Sequence, residues 1–466
     1  MRLFSLLRSF GLGLFGRSGG NGEMEEELRA HVQHRADDLE RSGLPRGEAE
    51  RRARVEFGGY EKYRQESHEA RGGEFMETLM QDVRFSLRAL RKSPGFAIAA
   101  VLTLAVAIGA NALVFSMLDT LVLRPIEVPQ GKQLYMVESG KDKIPMQSYP
   151  DYVDLRDRNR SFAGMLAYTM APAALASNGG SPSPIWAYAA SGNYFDVLGV
   201  KPYLGRFFHA ADEHGVNSAP YIVLSYAYWK THFHGDAGVV NRLVQVNKHP
   251  FTVLGVAQPK FRGTMLVFAP DVWLPMMNEP QLEGTNDLIV RGNHMMMVVG
   301  RVKAGVTPAQ ATADLNSVAA YLTKTYPKED AETSFTLANP GLMGDMLGGP
   351  VRAFVAGLMV LVGLILLAAC ANLGSLFAAR AAERSKEIAL RLALGSNRRR
   401  ILRRLLTEAV LISLAGGAVG LAGAVALLRW LSTWQPMPNL PIQIAVSPDA
   451  WTFAVALLLA VLSGLL

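Results

Sequence analysis

Nine histidines and a single cysteine are the residues of this 466-residue chain best suited to metal or nucleophilic chemistry. Five histidines gather loosely: His209, His214, His232, His234 and His249. His232 and His234 stand two apart, a spacing that on a strand puts both rings on one face. A metal site also needs a third ligand and groups that orient the rings, so surface histidines are the simpler reading. His31 and His34, three apart on an expected helix, have the same weakness. The chain has no GxxxxGK[ST] phosphate loop and no HExxH, GxSxG or paired CxxC. ATP binding of the phosphate-loop kind, a metal centre, a cofactor and catalysis are therefore not expected, and the chain is not read as an enzyme. Cys370 falls in an apolar run, which leaves the rest of the chain to fold without disulfides.

The elements that would position any function are set by hydropathy. Four apolar runs cover residues 96–122, 354–379, 405–431 and 451–466. A helix crosses about 30 Å of hydrocarbon with about 20 apolar residues. The first three runs meet that length, and Glu408 is the one charge between Leu405 and Leu428. The fourth stops short, and the expectation is a chain cut inside a fourth span. Residues 380–404 hold nine Lys/Arg against Glu383 and Glu387, an excess equal to the whole chain's net charge of +7. A short basic loop between spans belongs in the cytoplasm. Arg84, Arg88, Arg91 and Lys92 put the N-terminus there too, and residues 123–353 outside. The expected location is the inner membrane, multi-pass. The high pI reflects this topogenic loop next to lipid, so no nucleic-acid partner is expected.

Residues 1–92 are expected to be a cytoplasmic helical region, with 1–20 an amphipathic helix on the membrane surface. Residues 123–353 are expected to form an α+β domain with nearly balanced charge. Strands are expected at 221–224, 243–246, 251–256 and 295–299, and helices at 148–158 and 307–326. Thr307, Pro308 and Gln310 form a helix-start signature. The fold class is thus a membrane α-helical chain with a large α+β extracytoplasmic domain. It has three full transmembrane helices and a truncated fourth.

Two features of the membrane part invite a functional reading. Gly416, Gly417, Gly420 and Gly423 allow close helix approach, either within the chain or at a subunit interface. Asn111 and Asn372 are polar groups at lipid depth, expected to face other helices. In the basic loop, Ile388, Leu392 and Leu394 form an apolar strip flanked by charge, closed by Gly395. Such a helix lying along the membrane could dock into a partner's groove; the alternative is an inert loop.

The run KEIALRLALGSNRRRILRRLLTEAVLISLAGGAVGL (386–421) resembles the FtsX-type permease domain of the MacB family of ABC transporters. The matching positions are Glu387, Ile388, Arg391, Ala393, Leu394 and Gly395, then Glu408, Ala409, Ser413, Gly416, Gly417 and Gly420. Ser396 replaces a frequent alanine, and Asn241 stands where a glycine is expected. Residues 31–59, 148–168, 191–208 and 271–275 resemble the acidobacterial-type duplicated orphan permeases, which usually repeat the permease unit. The resemblance implies a MacB-like periplasmic domain at 123–353 and a cytoplasmic coupling loop at 380–404. It also implies partners: a separate ABC ATPase, a second permease copy or homodimer, and the lipid bilayer. ATPase motion would then drive export or extraction of a substrate. Glu383, Arg384, Lys386, Glu387, Ile388, Arg391, Leu394 and Gly395 are the expected ATPase-coupling residues, with Gly416, Gly417 and Gly420 packing helices. The rival reading is a membrane-anchored sensor or scaffold without an ATPase.

Overall fold

The computed structural model describes residues 33–34, 36–42, 45–48, 51–52, 73–124, 126–177, 180–266, 268–284, 287–331, 333–383, 385, 389, 398–433 and 450–465. The chain divides into two units, Met1–Lys92 and Ser93–Leu466. In the first, the long described element is helix α1 (Gly73–Lys92), which ends on Arg91 and Lys92. Residues 1–20 and most of 21–72 lie outside the described residues, together with the expectations for them.

The second unit opens with helix α2 (Pro94–Leu118), started by Pro94 and apolar on every side. The chain then builds β1 (Leu134–Ser139), α3 (Tyr149–Arg158), β2 (Phe162–Ser177), β3 (Ser183–Ala190) and α4 (Tyr194–Leu198). Next come β4 (Leu204–Gly205), β5 (Tyr221–Leu224), α5 (Tyr226–His232), β6 (Leu243–Val246), β7 (His249–Val256), β8 (Val272–Pro275) and α6 (Glu279–Glu283). β9 (Met297–Val302), α7 (Pro308–Thr325) and β10 (Phe335–Ala338) complete the α+β part. Helices α8 (Gly344–Glu383), α9 (Arg398–Thr433) and α10 (Ala450–Leu465) follow. Among the described residues, three stretches are long and apolar enough to span a membrane: Pro94–Leu123, Gly344–Glu383 and Ile401–Leu431.

The strands form one sheet in the order β10-β1-β9-β2-β3-β8-β5-β7-β4, with β6 paired to β2 and β7. Most pairs are antiparallel; β3/β8 and β5/β7 are parallel. Both faces are buried. On β2, Met165 and Ala167 join a core with Tyr152, Leu155, Leu315 and Leu322. Leu166 and Tyr168 join an aromatic core on the other face, with Tyr188, Tyr194, Phe195 and Trp273. Successive side chains on a strand point to opposite faces, so each strand serves two cores. The β6/β7 hairpin turns at Asn247 and Lys248, both with positive φ, as a two-residue turn matched to strand twist requires. Helix α7 begins at Thr307, whose hydroxyl accepts from the Gln310 N–H while the Gln310 side chain accepts from the Thr307 N–H.

Two expectations need correction, and one conditional arrangement does not arise. The strand expected from Met295 begins at Met297. His232 closes helix α5 and stacks on Tyr228 at 4.0 Å, while His234 has φ +52°, so this pair is not on a strand. Asn372 is exposed on α8, because that helix packs on a narrow side and leaves Phe354, Val360, Leu364 and Leu367 uncovered.

Candidate functional site

The α+β domain is held to the membrane helices at two places. After α2 the chain makes a π-turn, Asp119–Leu123. Arg124 closes it, donating its N–H to the Asp119 carbonyl (2.9 Å) and pairing its guanidinium with the Asp119 carboxylate (2.5 Å). The following segment is pinned to the sheet by Arg301 of β9. Its guanidinium donates to the carbonyls of Pro129 (2.9 Å), Gln130 (3.1 Å), Val197 (2.9 Å) and Leu198 (3.1 Å). Four main-chain acceptors around one planar cation fix direction as well as position.

The second attachment is the start of α8. Gly344 takes φ +63°, and a Cβ there would collide with the Glu138 carboxylate. That carboxylate, on β1, accepts from the Asp345 N–H at 2.5 Å. Asp345 itself accepts from Lys143 (2.9 Å) and Arg352 (2.6 Å). Burial pushes the Glu138 carboxyl above its ordinary value. A carboxylate at a helix N-terminus also meets unpaired N–H groups and the positive end of the helix dipole. From there α8 runs for 40 residues with Pro350 inside it, to Glu383. At 1.5 Å per residue it is about 60 Å long, about twice the hydrocarbon thickness.

Within the membrane part, glycine decides how closely helices meet. A Cβ on Gly420 would lie 2.9 Å from the Gly109 nitrogen, and one on Gly109 would lie 2.8 Å from the Gly420 carbonyl oxygen. A Cβ on Gly416 would lie 2.8 Å from the Leu104 Cβ, and one on Gly417 would lie 2.8 Å from the Ala460 Cβ. These three glycines thus face α2 and α10 of the same chain, while Gly423 faces open space. Asn111 donates to the Val362 carbonyl across α2 and α8 at 2.8 Å. At the other end of the helices, Arg380 donates to the Glu408 carboxylate and, at 2.5 Å, to the Ser93 hydroxyl.

Of the expected coupling residues, Glu383 is described, exposed at the end of α8. Arg384, Lys386, Glu387, Ile388, Arg391, Leu394 and Gly395 lie outside the described residues. Sequence reasoning missed a polar cluster in the outer domain. Asp151, His294 and Asp330 bring ligand-type atoms within 4.8 Å of one another. The Arg291 guanidinium already sits among these carboxylates. It pairs with Asp151 and Asp154, lies 3.7 Å from Asp330, and stacks over Tyr326 at 3.8 Å. A cation supplied by the chain meets the need a metal would meet, so this cluster is an ionic staple between α3 and the end of α7.

Two family profiles match the chain. The MacB-like periplasmic core domain matches residues 97–318, and the FtsX-like permease C-terminal domain matches residues 359–466. The chain belongs to the MacB/FtsX-type permeases. The macrolide export ATP-binding/permease protein MacB of Salmonella typhi is 28% identical over 255 residues, covering 54% of this chain and 36% of that protein. Its counterpart from Escherichia coli (strain K12) is 26% identical over 252 residues, with the same coverages. The chain therefore spans about a third of the length of the curated relatives it matches. The crystallised periplasmic region of MacB from Actinobacillus actinomycetemcomitans aligns at 18% identity and a TM-score of 0.34, over 44% of this chain and 88% of that one. This MacB/FtsX-type permease is a membrane protein with three long apolar helices among the described residues and an α+β periplasmic core domain.

Proposed function

We propose that the chain is the permease subunit of an ABC transporter, driven by an ATPase on a separate polypeptide. In this reading the N-terminus and residues 380–404 face the cytoplasm and the α+β domain faces the periplasm. ATPase movement is delivered to the 383–397 segment, carried along α8 and passed to β1, so that the outer domain exports or extracts a substrate. The observation that supports it most is the continuity of α8. One helix joins the Glu138–Asp345 contact at the sheet to Glu383 beside the basic segment. The match to the periplasmic core domain ends at residue 318, ahead of this helix, and the FtsX-like match begins at residue 359, within it. The proposed assembly contains a second permease copy.

The test is at the apolar strip. Docking of a short helix rests on a few buried anchors, each costing about 2 kcal/mol or more when lost. Ile388→Asp places a charge in such a contact and leaves the loop's basic residues unchanged. The variant should insert normally yet fail to co-purify with, or stimulate, the ATPase. Lys386→Ala should have a smaller effect that depends on salt. Intact ATPase association in Ile388→Asp would turn the reading toward a sensor or scaffold.

A further inference from the structure

Three spanning helices meet at one guanidinium. Arg380, near the end of α8, is 9% exposed, and Glu408, in α9, is 4% exposed. Their ion pair is the most buried contact of opposite charges between two membrane helices among the described residues. The second guanidinium nitrogen donates to the hydroxyl of Ser93, the residue at the N-cap position of α2. Phe96, on the first turn of α2, lies under the guanidinium at 4.4 Å and meets Phe377 of α8 edge-on at 5.4 Å.

Ser93 shows what this arrangement is for. A serine at an N-cap ordinarily turns its oxygen back to accept an N–H of its own helix, which stabilises that helix. Ser93 makes no such bond. Its hydroxyl is turned instead to Arg380, so α2 forgoes a local cap for a contact with another helix. Pro94 at the first helical position limits the loss, since it carries no N–H to satisfy. The ion pair is likewise a poor choice if stability alone were at stake. Apolar residues of similar volume replace buried pairs without loss, whereas removing one partner leaves an uncompensated charge. What a planar, forked cation adds is fixed geometry: separate bonds aimed at separate helices.

We infer that Arg380 is a positioning residue that locks the membrane ends of α2, α8 and α9 into one body. A displacement of the 384–397 segment, which joins α8 to α9, then reaches the three helices together. The inference rests on the transporter reading for its purpose, but the lock itself is a property of this chain and is measured without an ATPase.

The experiment uses the full chain in nanodiscs, with Cys370→Ser as background. Spin labels go on exposed positions of each helix: Ile98 with Ala378, and Ile98 with Leu402. Distance distributions are compared between the parent and the double variant Arg380→Met/Glu408→Leu, which removes both charges and keeps the volume. The expected result is a folded, inserted protein whose two distributions broaden at least twofold. Arg380→Lys keeps the charge but loses the fork, and should broaden them to a lesser degree; it also serves should the double variant not fold. Distributions as narrow as the parent's in either folded variant would overturn the inference. Co-purification of the ATPase is scored in parallel on the parent. If the parent binds no ATPase while the variants broaden, the lock stands and the transporter reading falls.

Discussion

Asn111 on the first spanning helix donates its amide to the carbonyl of Val362 on the second, 251 residues further along the chain. The same amide also donates to the Ala107 carbonyl one turn back, so both of its hydrogens are used. Polar bonds between membrane helices contribute modestly, since the competing state also finds partners. Asn111→Leu should therefore lower stability in detergent by about 1 kcal/mol, read as a shift in thermal unfolding. Asn111→Asp should cost more, because it places a charge where the carbonyls need a donor. Equal stability of all three proteins would show that the bond contributes nothing.

Close backbone approach gives a sharper contrast. Gly420→Ala puts a methyl group against the main chain of α2 at Ala105 and Gly109, whereas Gly423→Ala enters open space. Overpacking of this kind costs about 1–3 kcal/mol. The first variant should melt earlier than the parent, and the second should match it or exceed it, since alanine favours helix over glycine. A pair of melting curves decides the point.

The outer domain carries a pH signature. Burial raises the Glu213 carboxyl to about 7, from an ordinary 4.5. Its Oε1 is buried without a hydrogen-bond partner. The folded protein thus holds this proton more tightly than the unfolded chain does. Stability should be highest below pH 4.5 as far as this group is concerned, and should fall as pH rises toward 7. Glu213→Gln should remove that dependence and stabilise the protein at pH 8 by about 2 kcal/mol, allowing for partial solvent contact. Parallel pH slopes for parent and variant would rule the effect out.

Topology is open to labelling. With Cys370→Ser as background, a cysteine at Ser181 should react with an impermeant reagent in intact cells, and one at Ser396 should not. Reaction at position 396 would reverse the proposed orientation.

A fragment of residues 123–350 should fold alone. It contains both cores of the sheet and the Glu138–Asp345 contact. A single cooperative melting transition is expected. Aggregation without one would mean that the sheet depends on the membrane helices.

What could be seen beforehand was local. The start of α7 was legible because Thr307, Pro308 and Gln310 signal within four residues. Strands β6 and β7 were legible through alternation and the turn between them. Strand β2 was not, although it is the longest, at 16 residues. Its alanine-rich run is buried on both sides, so it lacks the alternation that marks a strand with one wet face. The ionic contacts were hidden for another reason. Arg291 finds Asp151 across 140 residues, and Arg380 finds Glu408 across 28. Counting Arg380 among basic residues explained its sign and nothing of its partner. The candidate coupling segment remains a proposal read from residue types.

The length of α8 has a mechanical consequence. A rod about 60 Å long that tilts by about 5° around one end carries the other end about 5 Å. A tilt that leaves one end of such a rod in place would therefore displace the other by about a strand spacing. Pro350 lacks the N–H that would bond to the turn before it, which makes the stretch between the Asp345 contacts and the membrane the most compliant part of the lever. Stiffness through the lipid and give at the sheet would let one long helix transmit distance while sparing the domain it moves from twisting.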